Sequence, residues 1–125
     1  IKSDRVLFSG MPTYLSPIRR FQILFHITMN HTAEDYPGNN PDKMPEVISA
    51  GENMDKIAED LNVNVLFYVE GASEHVSYVL LEAENLLSVV GFVSAIPYKQ
   101  DFKVTVVTHL KDLIVFAKTM GEKNV

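Results

Sequence analysis

The chain has 125 residues, of which 46% are hydrophobic and none is cysteine, and its net charge is −5. This length predicts one domain with a sizeable core, and the lack of cysteine excludes disulfides, a zinc ribbon and a thiol nucleophile. No apolar run reaches the roughly 18 residues of a membrane span, and no segment has the pattern of a signal peptide. We therefore expect a cytoplasmic protein that does not associate with a membrane.

Positive charge is concentrated at the start of the chain. Residues 1–20 contain four basic residues and one acidic residue, a net charge of +3, which leaves −8 on the rest. Nucleic-acid phosphates are bound by clustered lysine and arginine, so this acidic body argues against a nucleic-acid partner. Glycine and proline interrupt the segment, and only residues 5–9 have the pattern of a short strand. We expect residues 1–20 to form an extension to one domain at residues 21–125.

The first long strand is predicted at residues 21–30, FQILFHITMN. Alternate positions are apolar, which is typical of a strand that buries one face. The other face carries His26, Thr28 and Asn30 beside Leu24. Such a polar face in so apolar a segment indicates that a ligand or a second copy of the sheet covers it.

A helix and a hairpin are predicted next. Residues 31–41 are rich in turn formers and make a long loop, a common place for a lid or a binding loop. One amphipathic helix is predicted over residues 44–62, where apolar residues recur at spacings of three and four. Strands at residues 63–69 and 75–83 should form an antiparallel hairpin, with Tyr68 on the same face as Asn64 and Leu66.

The last elements complete the fold. A helix is predicted from residue 84 or 85 to Pro97, a strand at residues 102–107, and a further helix from Leu110 to Gly121. This order predicts an α+β, ferredoxin-like βαββαβ fold with an extra C-terminal helix, a four-stranded antiparallel sheet and central first and third strands. The helices should lie on one face or edge of the sheet, which leaves the other face to water or association.

Two stretches resemble a known family, namely SYVLLEAE at residues 77–84 and, after a helix, DFKVTVV at residues 101–107. They are similar to small bacterial proteins known only as a domain of unknown function, which are relatives of the dimeric α+β barrel superfamily. The resemblance covers residues 23–107 and implies homodimers whose open sheet faces enclose a cavity. The superfamily includes cofactor-independent monooxygenases, haem-degrading enzymes, isomerases and ligand-sensing domains, so the resemblance implies a fold rather than one function. Its members often carry a tryptophan before the last strand, and this chain has none.

His26 is the candidate catalytic residue, because its strand parity places it on the open face of a central strand and a neutral imidazole can act as a general base. The alternative is a structural histidine that is hydrogen-bonded in a dimer interface. The loop at residues 31–41 leaves the same strand and is predicted to be the movable edge of the site. The candidate ligand-binding residues are Thr28, Asn30, His31, Tyr36, Tyr68 and His75.

Metal binding is tested by strand geometry. Antiparallel pairing places His75 near His31 and places His109 at the other end of the sheet, because a strand of about 8 residues spans roughly 26 Å. A three-histidine site is therefore not expected. A site built from His31 and His75 with Glu34 or Asp35 is an open alternative. The chain contains no phosphate-binding loop, HExxH, nucleophile elbow or paired-carboxylate motif, so no metal or cofactor is predicted.

Two functions are compatible with these patterns. The first is a homodimer that binds a small organic molecule, either between sheet and helices or in a cavity on the open sheet face, with cofactor-independent catalysis as an extension. The second is a non-catalytic interaction, oligomerisation or ligand-sensing module. A cavity around His26 would favour the first, and a completely filled space would favour the second. Leu24, Leu66, Val107 and part of the third strand are expected to form an exposed apolar patch that favours a dimer.

Overall fold

The computed structural model describes residues 22–123, and in this range the chain is α+β, as predicted. The predicted extension at residues 1–20, with its strand pattern at residues 5–9, lies outside the described residues. The strands are β1 (Ile23–Asn30), β2 (Asn64–Gly71), β3 (Val76–Ala83) and β4 (Asp101–Val107). The α-helices are α1 (Met44–Glu52), α2 (Met54–Asp60), α3 (Leu86–Ser94) and α4 (Leu110–Lys123).

The four strands form one antiparallel sheet in the order β2-β3-β1-β4, so β1 and β3 are central, as predicted. One face, which we call the helix side, carries Ile27 and Val79. The other, which we call the open face, carries His26 opposite Leu80 of β3 and Thr105 of β4. This register confirms that His26 lies in the middle of the open face of the sheet.

The core lies on the helix side, between the central strands and the helices α2 and α3. Ile27, Val79 and Leu81 are completely buried and pack in one cluster with Val89 and Phe92 of α3. The alternating apolar face of the strands therefore meets the apolar stripe of a helix. Burial of each such side chain contributes about 1.5–3 kcal/mol, so this layer forms a firm support for the sheet.

A bulge in β2 changes which side chains share a face. The register of β2 against β3 shifts between Val65 and Phe67, and an inserted residue reverses the alternation beyond it. Tyr68 consequently lies opposite Val79 and packs against the core, whereas the ring of Phe67 contacts His26 on the open face. The prediction that Tyr68 shares a face with Asn64 is therefore wrong.

The first predicted helix is two helices. The prediction of one helix over residues 44–62 is corrected by an interruption at Asn53, which separates α1 from α2. The Asn53 side chain donates a hydrogen bond to the carbonyl of Ser49 at 2.8 Å, and Gly51 lies two residues before it. Glycine and asparagine are both weak helix formers, and asparagine competes for backbone groups, so the chain departs from regular helix here.

One end of the open face is covered rather than bare. Leu24 is only 6% exposed and Glu82 1%, and the side-chain amide of Asn64 donates to Glu82 Oε1 at 2.7 Å. The prediction that Leu24 belongs to an exposed patch is therefore wrong, although Leu66 is 40% exposed. Antiparallel pairing brings this buried end next to the C-terminal end of β4.

The C-terminal helix α4 is exposed along most of its length. Leu110, Leu113 and Phe116 are each more than half exposed, whereas Asp112 is buried. The helix also continues past Gly121, where the sequence predicted its end, to Lys123. Across residues 22–123, no helix combines the length and the hydropathy needed to cross a bilayer.

Candidate functional site

The structure does not bring the predicted site residues together: Tyr68 lies on the helix side, and the others form one group on the open face and another at the end of the sheet. His26 and Thr28 lie half-buried on the open face, and Asn30 is exposed at its end. The His26 ring is 6.2 Å from the ring of Tyr78 and 6.4 Å from that of Phe67, measured between centroids. The tyrosine beside His26 is therefore Tyr78, whereas Tyr68 lies on the helix side.

The second group is an aromatic cluster at the end of the sheet where β1 ends and β3 begins. The His31 ring stacks on Tyr36 at 5.8 Å with an interplanar angle of 5°, and it meets His75 and Tyr98 edge-on at 5.2 Å each. Tyr36 also lies 4.8 Å from His75. The structure thus joins three predicted ligand-binding residues, His31, Tyr36 and His75, and adds Tyr98. We call these four residues the aromatic cluster.

The turn between β2 and β3 positions His75. A short 3-10 turn, Ala72–Glu74, precedes it, and His75 has a φ of 55°, in the left-handed region that non-glycine residues rarely adopt. The backbone N–H of His31 donates to the His75 carbonyl at 3.2 Å. The left-handed residue and this hydrogen bond together hold the two imidazoles side by side.

The loop at residues 31–41 is held by its own side chains. The amide of Asn40 donates to the carbonyls of Glu34 and Tyr36 at 2.9 and 2.8 Å, and the amide of Asn39 donates to the carbonyl of Ala33 at 2.7 Å. These bonds form a compact loop that presents Tyr36 to the cluster. The sequence predicts that this loop is the movable edge of a site at His26, and that movement stays a prediction.

A cavity of about 320 Å³ lies on the helix side, between α1 and β2, and Tyr98 belongs both to its wall and to the aromatic cluster. Most of the wall is apolar, and the polar members are Tyr68, Glu70 and Tyr98. His26 is not part of this wall. The lining residues are Val47, Ala50, Gly51, Met54, Tyr68, Glu70, Ile96, Pro97 and Tyr98.

The polar side of the cavity is organised around Glu70. The hydroxyl of Ser77, which is completely buried, donates to Glu70 Oε2 at 2.6 Å. Burial raises the pKa of both Tyr68 and Tyr98, and the Glu70 carboxylate raises them further, because a phenolate would be repelled by it. Both phenols are therefore neutral near pH 7 and can donate hydrogen bonds.

His31 is the perturbed histidine of the aromatic cluster. Burial lowers its pKa and the neighbouring His75 lowers it further, whereas Glu70 and Asp35 act in the opposite direction. Neither ring nitrogen of His31 has a hydrogen-bond partner within residues 22–123, and neither does Nδ1 of His75. Buried polar atoms without partners are uncommon in folded proteins, so these nitrogens mark the cluster as part of the candidate site.

The structure does not form the alternative metal site of His31 and His75 with Glu34 or Asp35. In the described part of the chain, no three residues among histidine, aspartate and glutamate are grouped so that they could hold a metal ion. His31 and His75 are adjacent, as the strand pairing predicted, but their neighbours are the rings of Tyr36 and Tyr98. The pair is therefore better suited to aromatic and hydrogen-bonding contacts than to metal coordination.

Sequence reasoning missed Glu70, Ser77 and Tyr98. Glu70 and Ser77 are a cross-strand pair of the predicted hairpin, so counting residues from its turn would have paired them. Tyr98 has no comparable signal, because it follows α3 in an irregular segment and meets His31 only through tertiary packing.

No protein-family model, curated protein or solved structure matches this chain significantly. The resemblance to the dimeric α+β barrel superfamily therefore stays a prediction. The cavity, its polar side around Glu70 and the aromatic cluster next to it form the candidate functional site.

Proposed function

We propose that this protein binds a small organic molecule in the cavity between α1 and β2. The observation that carries the proposal is the cavity, about 320 Å³ in volume, with an apolar wall and three polar side chains. Ligand pockets commonly measure about 300–1,000 Å³ and combine an apolar lining with a few polar groups. Of the two locations that the sequence left open, this proposal takes the one between sheet and helices.

The aromatic cluster would form one edge of the binding site. Tyr98 lines the cavity and contacts His31, which stacks on Tyr36 in the loop after β1. A ligand in contact with Tyr98 would therefore be coupled to that loop. The proposal assigns no catalytic step, and the role of His26 as a general base stays a prediction.

A fragment screen that is followed by the amide NMR shifts of the isotope-labelled protein tests the proposal. A Cβ at Gly51 in the cavity wall meets nothing within 4 Å, so Gly51→Leu should place its side chain in open space without a clash. We expect bound fragments to shift the amide signals of Met54, Glu70 and Tyr98. Gly51→Leu should weaken the affinity for these fragments about tenfold or more, which corresponds to roughly 1.4 kcal/mol.

Gly51→Ala is the matched control, because it adds only a methyl group and should leave fragment binding almost unchanged. Fragments that bind Gly51→Leu as tightly as the native protein would contradict the proposed location. If the amide shifts are confined to residues around His26, the binding site lies on the open face instead.

We also propose that the fold is the ferredoxin-like arrangement and that two copies pair through their open faces. Phe67, Val69 and Tyr78 are 40%, 50% and 38% exposed on that face. Exposed apolar side chains grouped on one face mark interaction surfaces, and twofold dimers are the commonest oligomers. We also propose a cytoplasmic location, because the sequence contains no cysteine.

Sedimentation velocity tests the dimer. Phe67→Lys should shift the protein towards a monomer, because it places a charge in the apolar interface. Leu87→Lys, at a position on α3 that is 79% exposed, is the control and should leave the dimer intact. A monomer at every concentration of the native protein would contradict the pairing, whereas a dimer that binds no fragment would favour the interaction module.

A further inference from the structure

The cavity wall carries one charged residue, and that charge is negative. Of the nine lining residues, Glu70 alone is a carboxylic acid, and none is lysine, arginine or histidine. Within residues 22–123 Glu70 forms no salt bridge with a lysine or arginine. A carboxylate beside an apolar cavity, with no lysine or arginine partner among the described residues, favours a cationic ligand group and disfavours an anionic one.

Glu70 is held in place by the fold. The buried Ser77 hydroxyl donates to its Oε2 at 2.6 Å, which restricts the carboxylate to the cavity wall. A carboxylate positioned in advance binds a cation at a lower entropic cost than a freely rotating one. The hydrogen bond therefore supports a binding role for Glu70 in addition to any effect on stability.

Two tyrosines near Glu70 suit a cation as well. Tyr68 and Tyr98 both line the cavity and both lie close enough to Glu70 for its charge to act on their phenols. Neutral tyrosine rings attract cations through the negative charge of their faces, and more strongly when the cation is desolvated.

The rest of the wall is apolar. Val47 and Met54 come from α1 and α2, and Ile96 from the segment after α3. A ligand that fills this space therefore needs an apolar body, and the polar side of the cavity is confined to the region of Glu70.

We propose that the cavity takes an organic amine, whose apolar body packs against Val47, Met54 and Ile96 and whose ammonium group pairs with Glu70 between Tyr68 and Tyr98. This inference rests on the proposed function, because it names the class of ligand for the same cavity.

The test compares probes that share a body and differ in charge. The phenethyl series consists of phenethylamine, phenethyl alcohol and hydrocinnamate, and a hexyl series consists of hexylamine, hexanol and heptanoate. Their affinities for the full-length protein are measured near neutral pH by NMR titration. We expect the amine of at least one series to bind about tenfold more tightly than its alcohol and its carboxylate, as a charge-assisted hydrogen bond predicts.

Glu70→Gln separates charge from shape, because glutamine keeps an oxygen acceptor for Ser77. It should weaken amine binding about tenfold and leave alcohol binding unchanged. Glu59→Gln, at an exposed position on α2, is the matched control and should change neither. Added sodium chloride should weaken the amine and not the alcohol, which tests the charge without any mutation.

The outcomes distinguish this inference from the proposed function. If the alcohol or the carboxylate binds as tightly as the amine, and Gly51→Leu abolishes that binding, the cavity is a binding site but its preference for amines is wrong. Amine binding that is unaffected by both Glu70→Gln and salt would also overturn the inference. If no probe and no library fragment binds, the proposed function fails together with it.

Discussion

The hydrogen bond between Ser77 and Glu70 joins two groups in different surroundings, which predicts an unequal response to mutation. Ser77 is completely buried, whereas Glu70 is exposed on the edge strand β2. Glu70→Leu removes the carboxylate acceptor and leaves the buried Ser77 hydroxyl with only the weaker phenol oxygens of Tyr68 and Tyr98 beside it. Ser77→Ala removes the donor and leaves a carboxylate that water can solvate.

The magnitudes follow from this difference in burial. A buried polar group that loses its acceptor costs about 1–3 kcal/mol, and the phenols offer only partial compensation, so we expect Glu70→Leu to lower the free energy of unfolding by roughly 2 kcal/mol. Ser77→Ala loses only the net value of the hydrogen bond, about 1 kcal/mol. The double variant has no serine hydroxyl that needs an acceptor, and its stability should lie within about 0.5 kcal/mol of that of Ser77→Ala.

Urea unfolding of the native protein, the two single variants and the double variant measures these costs, provided that the slope m is the same in all four. Glu70→Gln keeps an acceptor for Ser77 and should be less destabilised than Glu70→Leu. Additive costs in the double variant, or a greater loss for Ser77→Ala than for Glu70→Leu, would refute the reasoning.

Two further predictions concern the aromatic cluster and the core. Because the pKa of His31 is lowered in the folded protein, the unfolded state binds more protons below about pH 6.5, and stability should fall as the pH falls through this window. His31→Phe keeps the ring and should flatten that dependence in urea unfolding at several pH values; an unchanged slope would contradict the assignment. Leu81→Ala should cost about 2–5 kcal/mol, because Leu81 is completely buried, whereas Leu87→Ala, at an exposed position of α3, should change stability by less than about 0.5 kcal/mol. Similar losses in the thermal unfolding of both variants would show that the core is misassigned.

The sequence by itself was enough for the strand order and for one side of the sheet. Alternation in β1 placed His26 and Thr28 on the face opposite Ile27, and the structure agrees. Antiparallel pairing also brought His31 next to His75, as expected from the hairpin and the central position of β1. These predictions succeed because side-chain alternation is a property of each strand's backbone, and it needs no knowledge of distant residues.

Tertiary structure alone decided where the candidate site lies. The bulge between Val65 and Phe67 moved Tyr68 from the predicted face to the helix side, where it meets the cavity. Tyr98 joined His31 through the path that the chain takes after α3. A bulge and a cavity depend on how β2 pairs with β3 and how closely α1 approaches the sheet. Both depend on contacts between residues far apart in the chain, which local periodicity does not encode.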